Sequence, residues 1–321
     1  MEILMHIGVG ILSVIIALVA NAAAHFMPRQ ATAPQQSSAS AQTAGSSRVE
    51  YGSLSSAALG RELKFAVQFP PSYDADAKRR YPVLYFLHGM FGNEREFERR
   101  GVAAAISKMR DEGKIGDFVI VAPAGENSFY LNAKNGAQYE DAIIKDLIPY
   151  VEKTYRVMNK PADRAIQGIS MGGWGAMLLA FKHPEMFSSV STHSAAVVLQ
   201  LPKADGTDRR SQFMGALIKR IFGDPPDEDF FRANNPIYVV EAQAAVIKKS
   251  ALKIYVDVGD QDRYQEIYGL QEGNKALDER LTKAGIAHEF HIFPGNHGWE
   301  YMISVIDHSY PFLWKNFQRV K

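Results

Sequence analysis

Gly168-Ile169-Ser170-Met171-Gly172-Gly173 is the stretch on which the reading of this chain turns. It follows a short run of β character at residues 164–167 and precedes Trp174-Gly175-Ala176-Met177-Leu178, which has the composition of a buried helix. A serine flanked in this way sits on a sharp strand-to-helix turn that lifts its hydroxyl above the edge of a sheet, and the small neighbours relieve the crowding such a turn creates. The helix that starts there aims its amino-terminal dipole and free N–H groups at the place where negative charge develops. A bare G-x-S-x-G also arises in ordinary glycine-rich turns; the strand before it and the helix after it give this one its weight.

Outward from the turn, β-rich runs at residues 63–69, 83–87, 118–122, 164–167, 189–192, 252–258 and 288–293 alternate with helical periodicity at 102–111, 139–155, 171–182, 264–283 and 299–317. That alternation predicts an α/β fold with a mainly parallel central sheet and helices on both faces. Pro70-Pro71 ends the first run, and the polar link to Val83 predicts a hairpin at the sheet edge. Residues 200–249 interrupt the alternation with mixed helical pieces and the turn Gly223-Asp224-Pro225-Pro226, as an insertion over the upper edge of the sheet would, where a lid or substrate wall belongs.

The amino-terminal part reads differently. Residues 7–24 are apolar or small and carry no charge, and they end in Val19-Ala20-Asn21-Ala22-Ala23-Ala24, which offers signal-peptidase sites after Ala22 or Ala24. Glu2 makes the preceding region a poor one for a signal peptide, and about 18 apolar residues approach the length needed to span a bilayer, so an uncleaved membrane anchor is the alternative for residues 1–24. Residues 25–48 are rich in Ala, Ser, Gln, Thr and Pro and read as a flexible linker, with one catalytic domain expected over 49–321. The expected location is therefore exported, periplasmic or secreted, or else tethered to a membrane.

Composition narrows the chemistry. Thirty-six basic against 35 acidic residues leave a formal charge of +1 over 321 residues, with no field that points to nucleic acid. The chain has no cysteine, which removes thiol nucleophiles, disulfides and thiolate metal sites. His288 and His291 do not suggest a metal pair, because a spacing of three along a strand sends side chains to opposite faces. Neither a metal nor a cofactor is expected.

A serine hydroxyl needs a histidine base and a carboxylate to orient it. Of the nine histidines, His6 and His25 lie in or beside the export segment, His88 precedes the turn, His183 ends the helix after it, and His288 and His291 fall inside the last strand. His297, in Pro294-Gly295-Asn296-His297-Gly298-Trp299 just beyond that strand, is the preferred base, since such sheets place function on loops at the carboxyl ends of strands. The preceding strand is followed by Gly259-Asp260-Gln261-Asp262, where Asp262 has the better reach and Asp260 is its competitor; Asp257, still in the strand, reads as a structural acceptor. An oxyanion hole requires two N–H donors: Met171 supplies one, and His88-Gly89-Met90-Phe91-Gly92-Asn93 the other, through Met90 or alternatively Phe91. Phe91, Tyr130 and Trp299 are candidates to line an acyl or aromatic pocket, although aromatic residues more often serve only the core.

Taken together, Tyr81-Pro82-Val83-Leu84-Tyr85-Phe86-Leu87-His88-Gly89, Gly168-Ile169-Ser170-Met171-Gly172-Gly173-Trp174-Gly175-Ala176, Gly259-Asp260-Gln261-Asp262 and Asn296-His297-Gly298-Trp299 resemble the esterase D family of α/β-hydrolases, over residues 49–317. That family includes feruloyl and acetylxylan esterases, S-formylglutathione hydrolases and mycolyltransferases. The resemblance implies cofactor-free hydrolysis of esters or thioesters with Ser170, Asp262 and His297 as the triad. The position of Trp174 often holds histidine in such families. The export segment favours extracellular small or glycan-linked esters over glutathione thioesters. An acyltransferase and a non-catalytic binding protein share the fold and are the rival readings; a glycosidase using Glu140 and Asp146 is disfavoured because these charges suit a solvated helix face.

Overall fold

The computed structural model describes residues 47–203 and 206–317. The expected export segment lies outside the described residues, as does the expected linker apart from Ser47 and Arg48. Eight strands form one sheet: β1 (Arg48–Ser56), β2 (Arg61–Phe69), β3 (Val83–Leu87), β4 (Val119–Pro123), β5 (Arg164–Ile169), β6 (Ser189–His193), β7 (Lys253–Gly259) and β8 (His288–Phe293). Their spatial order is β1-β2-β4-β3-β5-β6-β7-β8; β1, β2 and β4 pair antiparallel and all later pairs are parallel. This is the α/β-hydrolase fold.

Strands β3 to β6 are buried along their whole length, as apolar strands covered on both faces must be. Alternate residues feed two cores. Val83, Tyr85, Leu87 and Ile166 face the helices Met171–Lys182 and Leu270–Lys283, while Leu84, Phe86, Ala165 and Ile169 face Val102–Asp111 and Trp299–Phe317.

Two expectations about the elements need correction. The edge hairpin is β1–β2, not a turn between residues 69 and 83: the chain leaves β2 through a short helix, Ser72–Ala75, and β3 enters the middle of the sheet between β4 and β5. The all-apolar sequence of β3 requires cover on both faces, which an edge cannot provide. Strand β1 itself escaped notice because an edge strand carries little apolar pattern; only Leu54 and Ser56 of it are buried. Its Gly52 is covered from β2 by Phe65, whose ring lies 2.9 Å from where a Cβ would stand. The helix expected over 264–283 is broken at Gly269, with φ 66°, into Gln265–Tyr268 and Leu270–Lys283.

Between β6 and β7 stand the helices Arg209–Phe222, Glu228–Ala233, Pro236–Ala242 and Ala244–Ser250. The first is opened by Asp208, whose carboxylate accepts from the N–H groups of Arg210 and Ser211, and it buries Leu217, Ile218, Ile221 and Phe222. Among the described residues no helix is long and apolar enough to cross a membrane.

Candidate active site

Ser170 stands between β5 and its helix with φ 56° and ψ −119°, a conformation that costs a residue with a Cβ of order 1–3 kcal/mol and persists only where its surroundings enforce it. They do: its N–H donates to the His193 carbonyl at 3.0 Å, and its own carbonyl accepts from the N–H groups of Trp174 at 3.1 Å and Ala196 at 2.9 Å. The glycines are required by close approach. A Cβ on Gly168 would lie 2.0 Å from the Gly172 oxygen, one on Gly172 2.0 Å from the Leu87 oxygen, and one on Gly173 2.8 Å from the Ala195 Cβ.

The loops after β7 and β8 bring the other two residues to this hydroxyl. His297 Nε2 is 2.9 Å from Ser170 Oγ, and His297 Nδ1 is 2.8 Å from Asp262 Oδ2. With a carboxylate at Nδ1, that nitrogen carries the proton and Nε2 is left to accept from the serine. The second oxygen of Asp262 accepts the Tyr264 N–H at 2.9 Å, which fixes the carboxylate, and the Tyr264 ring stands edge-on to the imidazole at 4.7 Å. Asn296 Oδ1 accepts from the N–H groups of both Arg263, at 3.0 Å, and His297, at 2.7 Å, and so ties the two loops together. Asp260, the competitor for the acid, instead accepts the Gly295 N–H at 2.8 Å and acts as a second clasp. His288 is taken by Asp278 at 2.7 Å, and His291 packs on Tyr255.

The loop after β3 passes close to the serine: a Cβ on Gly89 would be 3.4 Å from that of Ser170. Phe91 N–H donates to Asn127 Oδ1 at 2.8 Å, whereas the Met90 N–H has no partner among the described residues. The Met90 N–H is thus left open, and Met90 lines the same cavity as Met171 at the start of the helix. Buried His88 anchors this loop. Its Nε2 accepts the Gly125 N–H at 2.8 Å, so its Nδ1 carries the proton and donates to the Gly89 carbonyl at 2.7 Å; burial lowers its pKa.

Ser170, His297, Met90 and Met171 open into a cavity of about 790 Å³. Phe91, 72% exposed, and Trp299 line it as expected of pocket residues. Tyr130 does not. It is fully buried beneath the β3 loop, with its hydroxyl donating to the His88 carbonyl at 3.3 Å; its neighbour Phe129 lies in the wall instead, edge-on to Trp174 at 5.5 Å. Leu217 and Phe222 of the helix Arg209–Phe222 supply more of the apolar wall. Sequence reasoning missed Asn127, Asn296 and Phe129. Asn296 adjoins the histidine and was open to notice, whereas residues 124–130 form an irregular loop with no periodic signal.

The family model described as "Putative esterase" matches residues 56–312. The chain belongs to that family. Among relatives in the esterase family, an esterase of Mycobacterium tuberculosis (strain CDC 1551 / Oshkosh) is 27% identical over 261 residues, covering 78% of this chain and 56% of its own length. The chain thus spans little more than half of that relative. An acetyl esterase of Caldicellulosiruptor saccharolyticus is 25% identical over 235 residues, 73% of this chain and 83% of that protein. The solved structure of a ferulic acid esterase aligns with TM-score 0.70 and 28% identity over 85% of this chain and 99% of that one. An S-formylglutathione hydrolase from Agrobacterium tumefaciens aligns with TM-score 0.67 at 20% identity, over 87% of this chain and 99% of that one, a likeness of fold.

Proposed function

We propose that this esterase-family chain is a serine carboxylesterase working through an acyl-enzyme. The observation that carries the reading is the unbroken relay Asp262–His297–Ser170, at 2.8 and 2.9 Å, at the edge of an apolar cavity. His297 takes the proton of Ser170 as its oxygen attacks the ester carbonyl, Asp262 holds the imidazole in the right tautomer, and the N–H groups of Met90 and Met171 receive the oxyanion. His297 then gives the proton to the leaving alcohol, and water, activated by the same imidazole, releases the acid. No metal or cofactor is required by these steps.

The apolar wall supports a carbon-rich acyl group, and the uncharged stretch at residues 7–24 supports export, so extracellular small or glycan-linked esters are the proposed substrates. The test is fluorophosphonate labelling of Ser170, followed by kcat/KM on p-nitrophenyl acetate, butyrate and longer esters, methyl ferulate, acetylated xylan and S-formylglutathione. Labelling with turnover of oxygen esters is the expected result; turnover of the glutathione thioester alone would overturn the extracellular preference. Mass spectrometry of the protein expressed in a bacterial host checks export. A chain that starts at Ala23 or His25 marks cleavage, an intact chain in the membrane marks an anchor, and an intact chain in the cytosol contradicts both.

A further inference from the structure

The cavity wall carries charge on the side of His297 that the mechanism leaves unused. Arg263 follows Asp262, and its Nη2 lies 3.8 Å from where a Cβ on Gly298 would stand, one residue beyond His297. Its guanidinium is 5.3 Å from the centre of the Tyr264 ring, the ring that packs on the His297 imidazole. Arg210, from the helix Arg209–Phe222, approaches the same ring at 5.9 Å and that of Tyr268 at 5.3 Å. Both arginines line the cavity, and neither has a carboxylate partner within 4.0 Å among the described residues. The other charges in the wall are Arg100 and Glu96, bonded to each other at 2.7 Å, and Glu300 in the first turn of the last helix, where the helix dipole suits it.

Position relative to the imidazole assigns these cations a role. His297 must deliver its proton to the leaving oxygen, so groups beside it lie along the alcohol half of an ester, and the apolar wall remains for the acyl half. We infer that Arg210 and Arg263 form a subsite for an anionic group on the alcohol half, and that the preferred substrates join an apolar acyl group to an alcohol bearing a carboxylate or a phosphate. The inference rests on the serine-esterase reading above. Guanidinium forks match the planar oxygens of either anion, and stacking on tyrosine holds them without neutralising them. Both arginines are exposed, so each contributes the modest energy of a solvated ion pair, and the pair together gives about a fivefold preference.

The test compares butyrate esters of 4-hydroxybenzoate, 4-hydroxyphenyl phosphate and 4-hydroxybenzamide, which differ mainly in the charge of the alcohol half. At low salt, kcat/KM for at least one anionic ester should exceed that for the neutral one about fivefold. A preference for the phosphate alone, or for the carboxylate alone, supports the subsite and names its ligand. The ratio should approach one in about 0.5 M NaCl, where exposed charges are screened, and in the Arg210→Gln/Arg263→Gln double variant, while Glu300→Gln should raise it. Equal rates on all three esters, or a ratio untouched in the double variant, overturns the subsite. Protein that takes the fluorophosphonate label but cleaves none of the three also overturns it, whereas protein that takes no label overturns the esterase reading beneath it.

Discussion

Among the described residues two Ser–His–Asp arrays stand close together, and their surroundings differ. In the outer array, His297 meets Ser170 at 2.9 Å and Asp262 at 2.8 Å. In the inner one, His193 Nε2 meets Ser309 Oγ at 3.1 Å, and its Nδ1 lies 2.8 Å from Asp257 Oδ2 but out of line for a straight hydrogen bond. The two arrays share elements, since Asp257 is in β7 and Asp262 in the loop that follows it, while β6 ends at His193. Distances hardly separate them; surroundings do. Ser309, His193 and Asp257 are fully buried, Ser309 sits on helical backbone, Gln167 Nε2 crowds the contact between His193 Nε2 and Ser309 Oγ, and Asp257 Oδ1 is taken by the Tyr301 hydroxyl. Ser170 is raised by a strained turn beside a cavity with two available N–H donors. A nucleophile needs access, an oxyanion site and an aligned relay; three residue types in contact are not enough.

The two serines should differ most. Ser170→Ala should lower kcat by about a million-fold and abolish fluorophosphonate labelling, because the members of such a relay act as a unit. Ser309→Ala should leave kcat/KM within about threefold and appear as a stability loss of about 1 kcal/mol in urea denaturation, the worth of a buried hydrogen bond. Persistent labelling of Ser170→Ala would show that the nucleophile lies elsewhere.

The two carboxylates come next. Asp262→Asn should cost about 10⁴ in kcat, since an amide at that position favours the wrong imidazole tautomer. Asp257→Asn leaves the Tyr301 hydroxyl and His193 imperfectly matched, so its cost should fall on stability, about 1–3 kcal/mol, with a much smaller change in kcat. Comparable losses of kcat in both variants would mean that the inner array steers the outer one through β7.

The same contrast explains what could be read from the sequence. The outer array was legible because the proposed chemistry constrains the local chain: glycines crowd Ser170, and a base and an acid for it belong on loops at the carboxyl ends of strands. Asp262 and Asp260 differ in sequence only by reach, and the structure gives the second a separate task at the Gly295 N–H. Of the inner array only Asp257 was legible, as a structural acceptor, because His193 and Ser309 look individually like ordinary strand and helix residues and the three meet only through tertiary packing. Tyr130 was misassigned for a related reason. Aromatic character does not say which side of a loop faces the cavity, and here Phe129 does. Residues 200–249 read as an insertion where a lid or substrate wall belongs, but which of them line the cavity, as Leu217 and Phe222 do, is set by tertiary packing.

The proposed oxyanion site of the outer array gives a smaller effect. Asn127 touches no reacting atom, but it takes the Phe91 N–H at 2.8 Å and so sets the backbone that presents Met90. Removing an oxyanion donor outright costs about a hundred- to a thousand-fold. Loosening its support through Asn127→Ala should cost less, about tenfold in kcat with little change in KM, because the misplaced donor matters mainly in the transition state. A rise in KM with kcat unchanged would assign Asn127 to substrate binding instead.

His88 gives the smallest effect and the one that depends on pH. Burial depresses its pKa below the ordinary histidine value of about 6.5, and the folded loop needs the neutral ring, because Nε2 accepts the Gly125 N–H. The unfolded chain therefore binds a proton that the folded chain resists. This contribution to stability is complete above the unfolded pKa and is lost as pH falls through the folded one. Urea midpoints measured from about pH 7.5 down to about pH 5 should decline for the wild type, and His88→Gln, though less stable throughout, should decline less steeply. Because the tether holds the loop bearing Met90, kcat should fall more over the same interval in the wild type than in the variant. Equal slopes for the two proteins would mean that His88 changes its protonation without strain, and that the loop is held by its other contacts, among them those of Asn127 and Tyr130.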